Sequence, residues 1–362
     1  MVEIAALTSY SMEPLDRKIL NLVERDIRVI DLYCFCAEDL RALLDLKTPP
    51  PSLAEPMEGL DAEKAADKIH RWCLDAQRKY PGEAVDICGL ASFIPDISST
   101  YKPDRLRAVK TLGNMLDLLA ALRERGFSGD TLELVTGHTI VPVSDLDPCE
   151  ARSTPKGNAP GKPRTFLKSV KPQECLAKLL ESLWKLDEKI TNTPWRRAPR
   201  SRADKPRMAV ELEPSVGRLI HDRKSLKMFL DDNEAKTLMD RGNVGVNLDI
   251  GHMQIVKITP DEVDANWSDR VVHCHVSDNA HDHFADLRVG VFTPENKYLE
   301  WLRHLIRWEA EGKPFLGRVS IELEACGDVG QVEASYQFLR GWLKTLGVRL
   351  RANIHPVRPA PA

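Results

Sequence analysis

The chain has 362 residues, 43% of them hydrophobic, and a formal net charge of −3. That supplies apolar material for two ordinary domains or one barrel-sized domain, and the near-neutral balance excludes a general electrostatic attraction to nucleic acid or a membrane surface. No apolar run reaches membrane-spanning length, and the N-terminus lacks the basic start and long apolar stretch of a secretory signal, so a cytoplasmic protein is expected.

Residues 4–10 read as a short strand, and 14–25 follow with Leu15, Ile19, Leu20 and Val23 at helical spacing. A second strand is expected over 29–35, a Pro-rich loop over 48–56 and a long helix over 62–79. The third unit pairs a strand at 84–93 with a helix at 104–125 that stops at Gly126. The fourth pairs a strand at 131–138 with a helix at 173–190. Four more strands carry Glu213, Asp249, His275 and Glu322, with helices expected at 224–239, 260–267, 298–311 and 331–346. Eight apolar strands alternating with helices predict an α/β fold with a parallel sheet, and eight is the number that closes a (β/α)8 TIM barrel. One barrel domain over 1–350 is therefore expected, with a frayed Pro-rich tail at 351–362.

Two segments break the alternation. Residues 145–171, rich in Pro, Gly and basic side chains, lie between the fourth strand and its helix, so they project from the catalytic face as a lid or a surface insertion. Residues 191–206 carry Arg196, Arg197, Arg200, Arg202 and Lys205 on the opposite face, which reads as a solvated loop. Cys34, Cys36, Cys88, Cys274 and Cys326 fall inside apolar runs, as small core residues of a reducing compartment do.

The chemistry sits at the strand ends. Met208-Ala-Val-Glu211-Leu-Glu213-Pro214, Val244-Gly-Val-Asn-Leu-Asp249-Ile-Gly-His252, Val271-Val-His273-Cys-His275 and Val319-Ser-Ile-Glu322-Leu-Glu324 each finish in metal-capable side chains. Strand alternation puts Glu211 with Glu213, Asn247 with Asp249, His273 with His275, and Glu322 with Glu324 on shared faces. A barrel gathers such residues at its C-terminal mouth, where uncompensated carboxylates would repel one another. Three carboxylates and an imidazole suit a divalent ion, Mn²⁺ first, with Mg²⁺, Co²⁺, Zn²⁺ or Fe²⁺ as alternatives. His138 ends the fourth strand at the same mouth, and His281 and His283 lie in the loop after the seventh, all three as candidate substrate contacts.

In these four pieces and in their order the sequence resembles the xylose isomerase-like barrels, the sugar isomerases and epimerases that also include type IV apurinic endonucleases. The resemblance implies Glu213, Asp249, His275 and Glu322 as metal ligands, the two glutamates also serving as acid and base, and His252 as a second-sphere or substrate-contacting residue. It favours Glu213 over Glu211 through the following Pro214, and Glu322 over Glu324 through Val-Ser-Ile-Glu. His281 and Leu219 stand where ketose 3-epimerases carry an Arg and a Glu, which turns the expectation away from a free-ketose epimerase. The implied activity is an isomerase or epimerase acting on a keto-sugar, polyol or sugar derivative through proton abstraction and a metal-stabilised enediolate. A related lyase or dehydratase shares those residues, and a partner-dependent, non-catalytic barrel is the alternative from another class. The expected partner is a small-molecule sugar or polyol, with no nucleic acid and no membrane, and a homo-oligomer is left open.

Overall fold

In the computed structural model the described residues are 2–34, 37–48, 59–92, 96–136, 171–214, 218–280, 286–324 and 326–348. The expected tail, His138, His281, His283 and all of the 145–171 insertion but Lys171 lie outside them.

Eight strands, β1 (Glu3–Leu7), β2 (Val29–Cys34), β3 (Asp86–Ser92), β4 (Thr131–Val135), β5 (Arg207–Glu211), β6 (Val244–Asp249), β7 (Val271–Val276) and β8 (Arg318–Ile321), pair in sequence order, and β8 returns to β1 in a closed parallel barrel. The helices are α1 (Leu15–Glu24), α2 (Ala37–Leu44), α3 (Ala62–Lys79), α4 (Lys102–Glu124), α5 (Pro172–Asn192), α6 (Arg223–Asp231), α7 (Asn233–Asp240), α8 (Ile250–Ile255), α9 (Pro260–Asn266), α10 (Glu295–Ala310) and α11 (Val329–Thr345). None of them is long and apolar enough to cross a membrane. Outward-facing strand residues such as Ile30, Leu132, Leu134, Val210, Val246, Leu248, Cys274 and Ile321 join the apolar stripes of the helices in one large core. Burying a side chain of that size contributes roughly 1.5–3 kcal/mol, so this outer layer supplies most of the driving force.

The helix expected over 224–239 is two. Asp232 interrupts it by accepting hydrogen bonds from the backbone N–H of Glu234 (2.8 Å) and Ala235 (3.2 Å), which caps α7 and turns the chain. The sixth unit also holds α8, which the sequence reading did not anticipate. Asp249 caps it through the backbone N–H of His252 at 2.7 Å.

The barrel interior is small and polar rather than aliphatic. Ala5, Asp31, Gly89, Ala209, Asn247, His273 and Ser320 occupy facing register positions across the strands. Gly89 is required there, because a Cβ would collide with Thr131 Oγ1 and Asp31 Oδ1 and lie 3.2 Å from Glu133 Oε1.

At the N-terminal end the 191–206 segment is more than a solvated loop. Arg196 and Arg197 are exposed, but Arg202 donates to the carbonyls of Leu316 (2.7 Å) and Gly317 (2.8 Å), and Arg200 to that of Ala84 (2.9 Å). Arg123 reaches it from α4 through the carbonyls of Ala203 and Asp204. Beneath lies Arg318, buried among Glu3 (3.0 Å), Asp86 (3.5 Å) and Asp130. The run is basic because it closes a barrel end lined with carboxylates and carbonyls.

Candidate active site

Four strands deliver the mouth. Glu211 is the last residue of β5, Asp249 of β6, His275 lies one residue from the end of β7, and Glu322 immediately follows β8. One donor atom from each falls within 4.8 Å of all the others, and all four side chains are buried. His275 Nδ1 stands 2.7 Å from Glu322 Oε2 and 3.9 Å from Glu211 Oε1.

Glu211 therefore takes the place expected of Glu213. The reason is local: β5 ends at Glu211, and the Glu213 N–H turns back to the carbonyl of Ile220 at 3.0 Å, so strand alternation does not carry as far as Glu213. Glu213 is half-buried and groups with Glu211 and His252 instead. Glu322, not Glu324, belongs to the four-donor group.

Asp249 does two jobs with one carboxylate. Its Oδ1 caps α8, which fixes the side-chain rotamer, while its buried Oδ2 has no hydrogen-bond partner among the described residues. Glu211 Oε1 is likewise buried without a well-aligned donor. Orphaned anionic oxygens are costly unless something cationic meets them, and here they converge with an imidazole nitrogen. The donor set thus fits a divalent cation of the Mn²⁺, Mg²⁺, Co²⁺, Zn²⁺ or Fe²⁺ kind, held by Glu211, Asp249, His275 and Glu322.

Electrostatics separate the two glutamates. Burial, opposed by the charge of His275 and reinforced by Glu211, pushes Glu322 up to about 8. Burial pushes Glu211 the same way, but the close approach of His252 and the charges of His275 and His252 outweigh it and hold the carboxyl below its ordinary value. His275 is held well above the usual imidazole range despite burial, because Glu322 and Glu133 flank it, and His252 likewise through Asp249, Glu213 and Glu211. His252 Nδ1 lies 3.2 Å from Glu211 Oε1 and 3.0 Å from the Leu212 carbonyl. Asp286 adds another carboxyl pushed up by burial and by Glu322 and Glu324.

The interior below the mouth holds His273 and, beside it, two residues that the strand pattern alone did not single out, Glu133 and Asp31. His275 Nε2 is 3.1 Å from Glu133 Oε2, His273 Nε2 is 3.3 Å from Glu133 Oε1, and His273 Nε2 is 3.4 Å from Asp31 Oδ2. The signal was available: Glu133 and Asp31 each interrupt an otherwise apolar strand, and an ionisable residue inside a buried strand needs a partner.

No protein-family model matches the chain, and no curated protein does. Among solved structures it is similar to a D-tagatose 3-epimerase-like protein (TM-score 0.62, 15% identity, covering 95% of this chain and 98% of that one). It is also similar to a 3-keto-D-glucoside 4-epimerase from E. coli (0.55, 14%, 94% and 100%) and to the IolI protein with a bound zinc atom (0.54, 11%, 95% and 98%). The fold is a (β/α)8 TIM barrel of the xylose isomerase-like kind.

Proposed function

We propose that the chain is a metal-dependent enzyme of the isomerase or epimerase type, acting on a keto-sugar, polyol or sugar derivative. The observation that carries this is the convergence of Glu211, Asp249, His275 and Glu322 from four consecutive strands at the barrel mouth. Two similar structures are described as sugar epimerases or epimerase-like, and a third holds zinc, which supports the reading.

A divalent ion in this cluster would supply positive charge beside a carbonyl and its neighbouring hydroxyl, lowering the pKa of the C–H between them and favouring an enediolate. The chain's own residues do the rest. Glu211 on β5 and Glu322 after β8 approach the cluster from different sides, so one carboxylate can take a proton from one face of a substrate while the other carboxyl returns one. His252, hydrogen-bonded to the Leu212 carbonyl and set against Glu211, orients that carboxylate.

The test is solvent isotope exchange. With a substrate found by screening keto-sugars and polyols in the presence of Mn²⁺, deuterium from D₂O is expected to enter the carbon next to the carbonyl. Glu211→Gln and Glu322→Gln, compared at saturating metal, are each expected to lower turnover by at least about a hundredfold. Turnover without any deuterium entry, in either direction, would point to hydride transfer or hydrolysis and sink the mechanism.

A further inference from the structure

We propose that Glu133, in the middle of β4, is the positioning residue for the ligand histidine: its carboxylate accepts the Nε2–H of His275 and so leaves the Nδ1 lone pair facing Glu211, Asp249 and Glu322. The inference rests on reading that cluster as a metal site.

A neutral imidazole carries one N–H, and the nitrogen that holds it cannot act as a ligand. In His275 the two nitrogens face opposite ways. Nδ1 looks to the mouth, 2.7 Å from Glu322, and Nε2 looks inward, 3.1 Å from Glu133. Glu133 comes from the far side of the barrel, three strands away from β7, and is buried to 3% exposure. Both its oxygens, like His275 Nε2 and His273 Nε2, are buried without an aligned hydrogen-bond partner among the described residues, and its closest polar neighbours are those two imidazole nitrogens, at 3.1 and 3.3 Å. Those rings meet edge to face at 5.1 Å, and Asp31 stands behind His273 at 3.4 Å. Gly89 opposite leaves the space that the Glu133 carboxylate fills. The arrangement is a carboxylate–histidine pair aimed at a ligand cluster, built from a strand that contributes nothing to the cluster itself.

Glu133, His273 and His275 also bring donor atoms within 4.8 Å of one another, the spacing of a cation site of their own. Filling both sites would require His275 to give up both ring protons, which makes the positioning role the better reading.

Two measurements decide it, with zinc as the diamagnetic probe. In the zinc-loaded wild-type protein, nitrogen NMR of His275, assigned with His275→Asn, is expected to show Nδ1 bound to metal and a slowly exchanging, downfield proton on Nε2. In Glu133→Gln that proton is expected to move upfield and exchange faster, and zinc affinity by chelator competition to fall about 10- to 100-fold. Metal on Nε2, two zinc ions per chain, or wild-type affinity with an unmoved Nε2–H signal in Glu133→Gln overturns the positioning role. The wild-type spectrum decides even if the variant does not fold. A wild-type chain that takes up no zinc removes the metal reading itself, a failure distinct from a variant that behaves like wild type.

Discussion

Glu211 and Glu213 are two residues apart and would share one face of an ideal strand, yet the backbone lets only Glu211 reach Asp249, His275 and Glu322. Replacing Glu211 by Gln removes a charged donor from the cluster, so metal affinity is expected to drop by at least about tenfold, whereas Glu213→Gln should cost less because its carboxyl meets Glu211 and His252 instead. Equal losses of metal, measured side by side, would return Glu213 to the ligand set. Asp278, three residues beyond His275, makes a different use of a carboxylate. Burial would raise it, but the Thr293 hydroxyl and the backbone N–H groups of Phe292, Thr293 and Asn279 hold it below its ordinary value. A folded-state pKa below the unfolded one stabilises the protein above the unfolded pKa, about 3.9, and that stability is lost as pH falls through the folded value. Asp278→Ala is accordingly expected to lower stability at pH 7 by about 1.5–3 kcal/mol, the range for hydrogen bonds to a charged group, and by less in acid. Urea titrations at neutral and acidic pH measure both, and an equal loss at the two pH values would exclude the charge as the cause.

The elements show which parts of the molecule a sequence discloses. Parallel strands buried on both faces are continuous apolar runs, which is why Val244-Gly-Val-Asn-Leu-Asp249 and Val271-Val-His273-Cys-His275 could be placed, and with them the residues at their ends. Where a strand stops is set by its neighbours and by the return of the chain. The end of β5 depends on a hydrogen bond to Ile220, nine residues beyond Glu211, and periodicity carries no trace of it. The contacts of Glu133 with His273 and His275 are hidden for the same reason, since they cross the barrel between strands far apart in sequence. The break between α6 and α7 was legible in principle, because Asp232-Asn233-Glu234 is a helix-start signal inside an otherwise helical pattern. Asp232→Ala should cost about 1 kcal/mol, the usual effect of losing an N-cap. Chemical denaturation reads that loss, and a neutral result would mean that packing alone makes the bend.

At the scale of the whole molecule the barrel has two polar ends with opposite demands. The C-terminal mouth leaves anionic oxygens facing one another, as a cation site needs, whereas the N-terminal end answers each buried carboxylate with an arginine. Conserving charge balance at the closed end lets the open end stay unbalanced without loss of the fold, because the two are separated by the length of the strands. Arg318 is the centre of the closed end, with Glu3, Asp86 and Asp130 around it and the 191–206 segment above, where Arg202 shares Glu3 and the Gly317 carbonyl. Arg318→Met keeps much of the volume but removes the cation that Glu3, Asp86 and Asp130 share, leaving Glu3 to Arg202 and Asp130 to Arg123 and taking the ion pair from Asp86. A loss of about 3–5 kcal/mol is therefore expected, the range for breaking a buried ion pair by removing one partner. Asp130→Asn should cost less in that background than it does alone, since Asp130 then answers to Arg123 only and contacting residues couple. Zinc affinity at the other end should stay at the wild-type level in every folded variant. Urea unfolding of the single and double variants, with zinc binding measured on each, is the experiment: full additivity of the two substitutions would show that Asp130 and Arg318 do not act as a pair, and a loss of zinc binding in a folded Arg318→Met would show that the two ends are not independent.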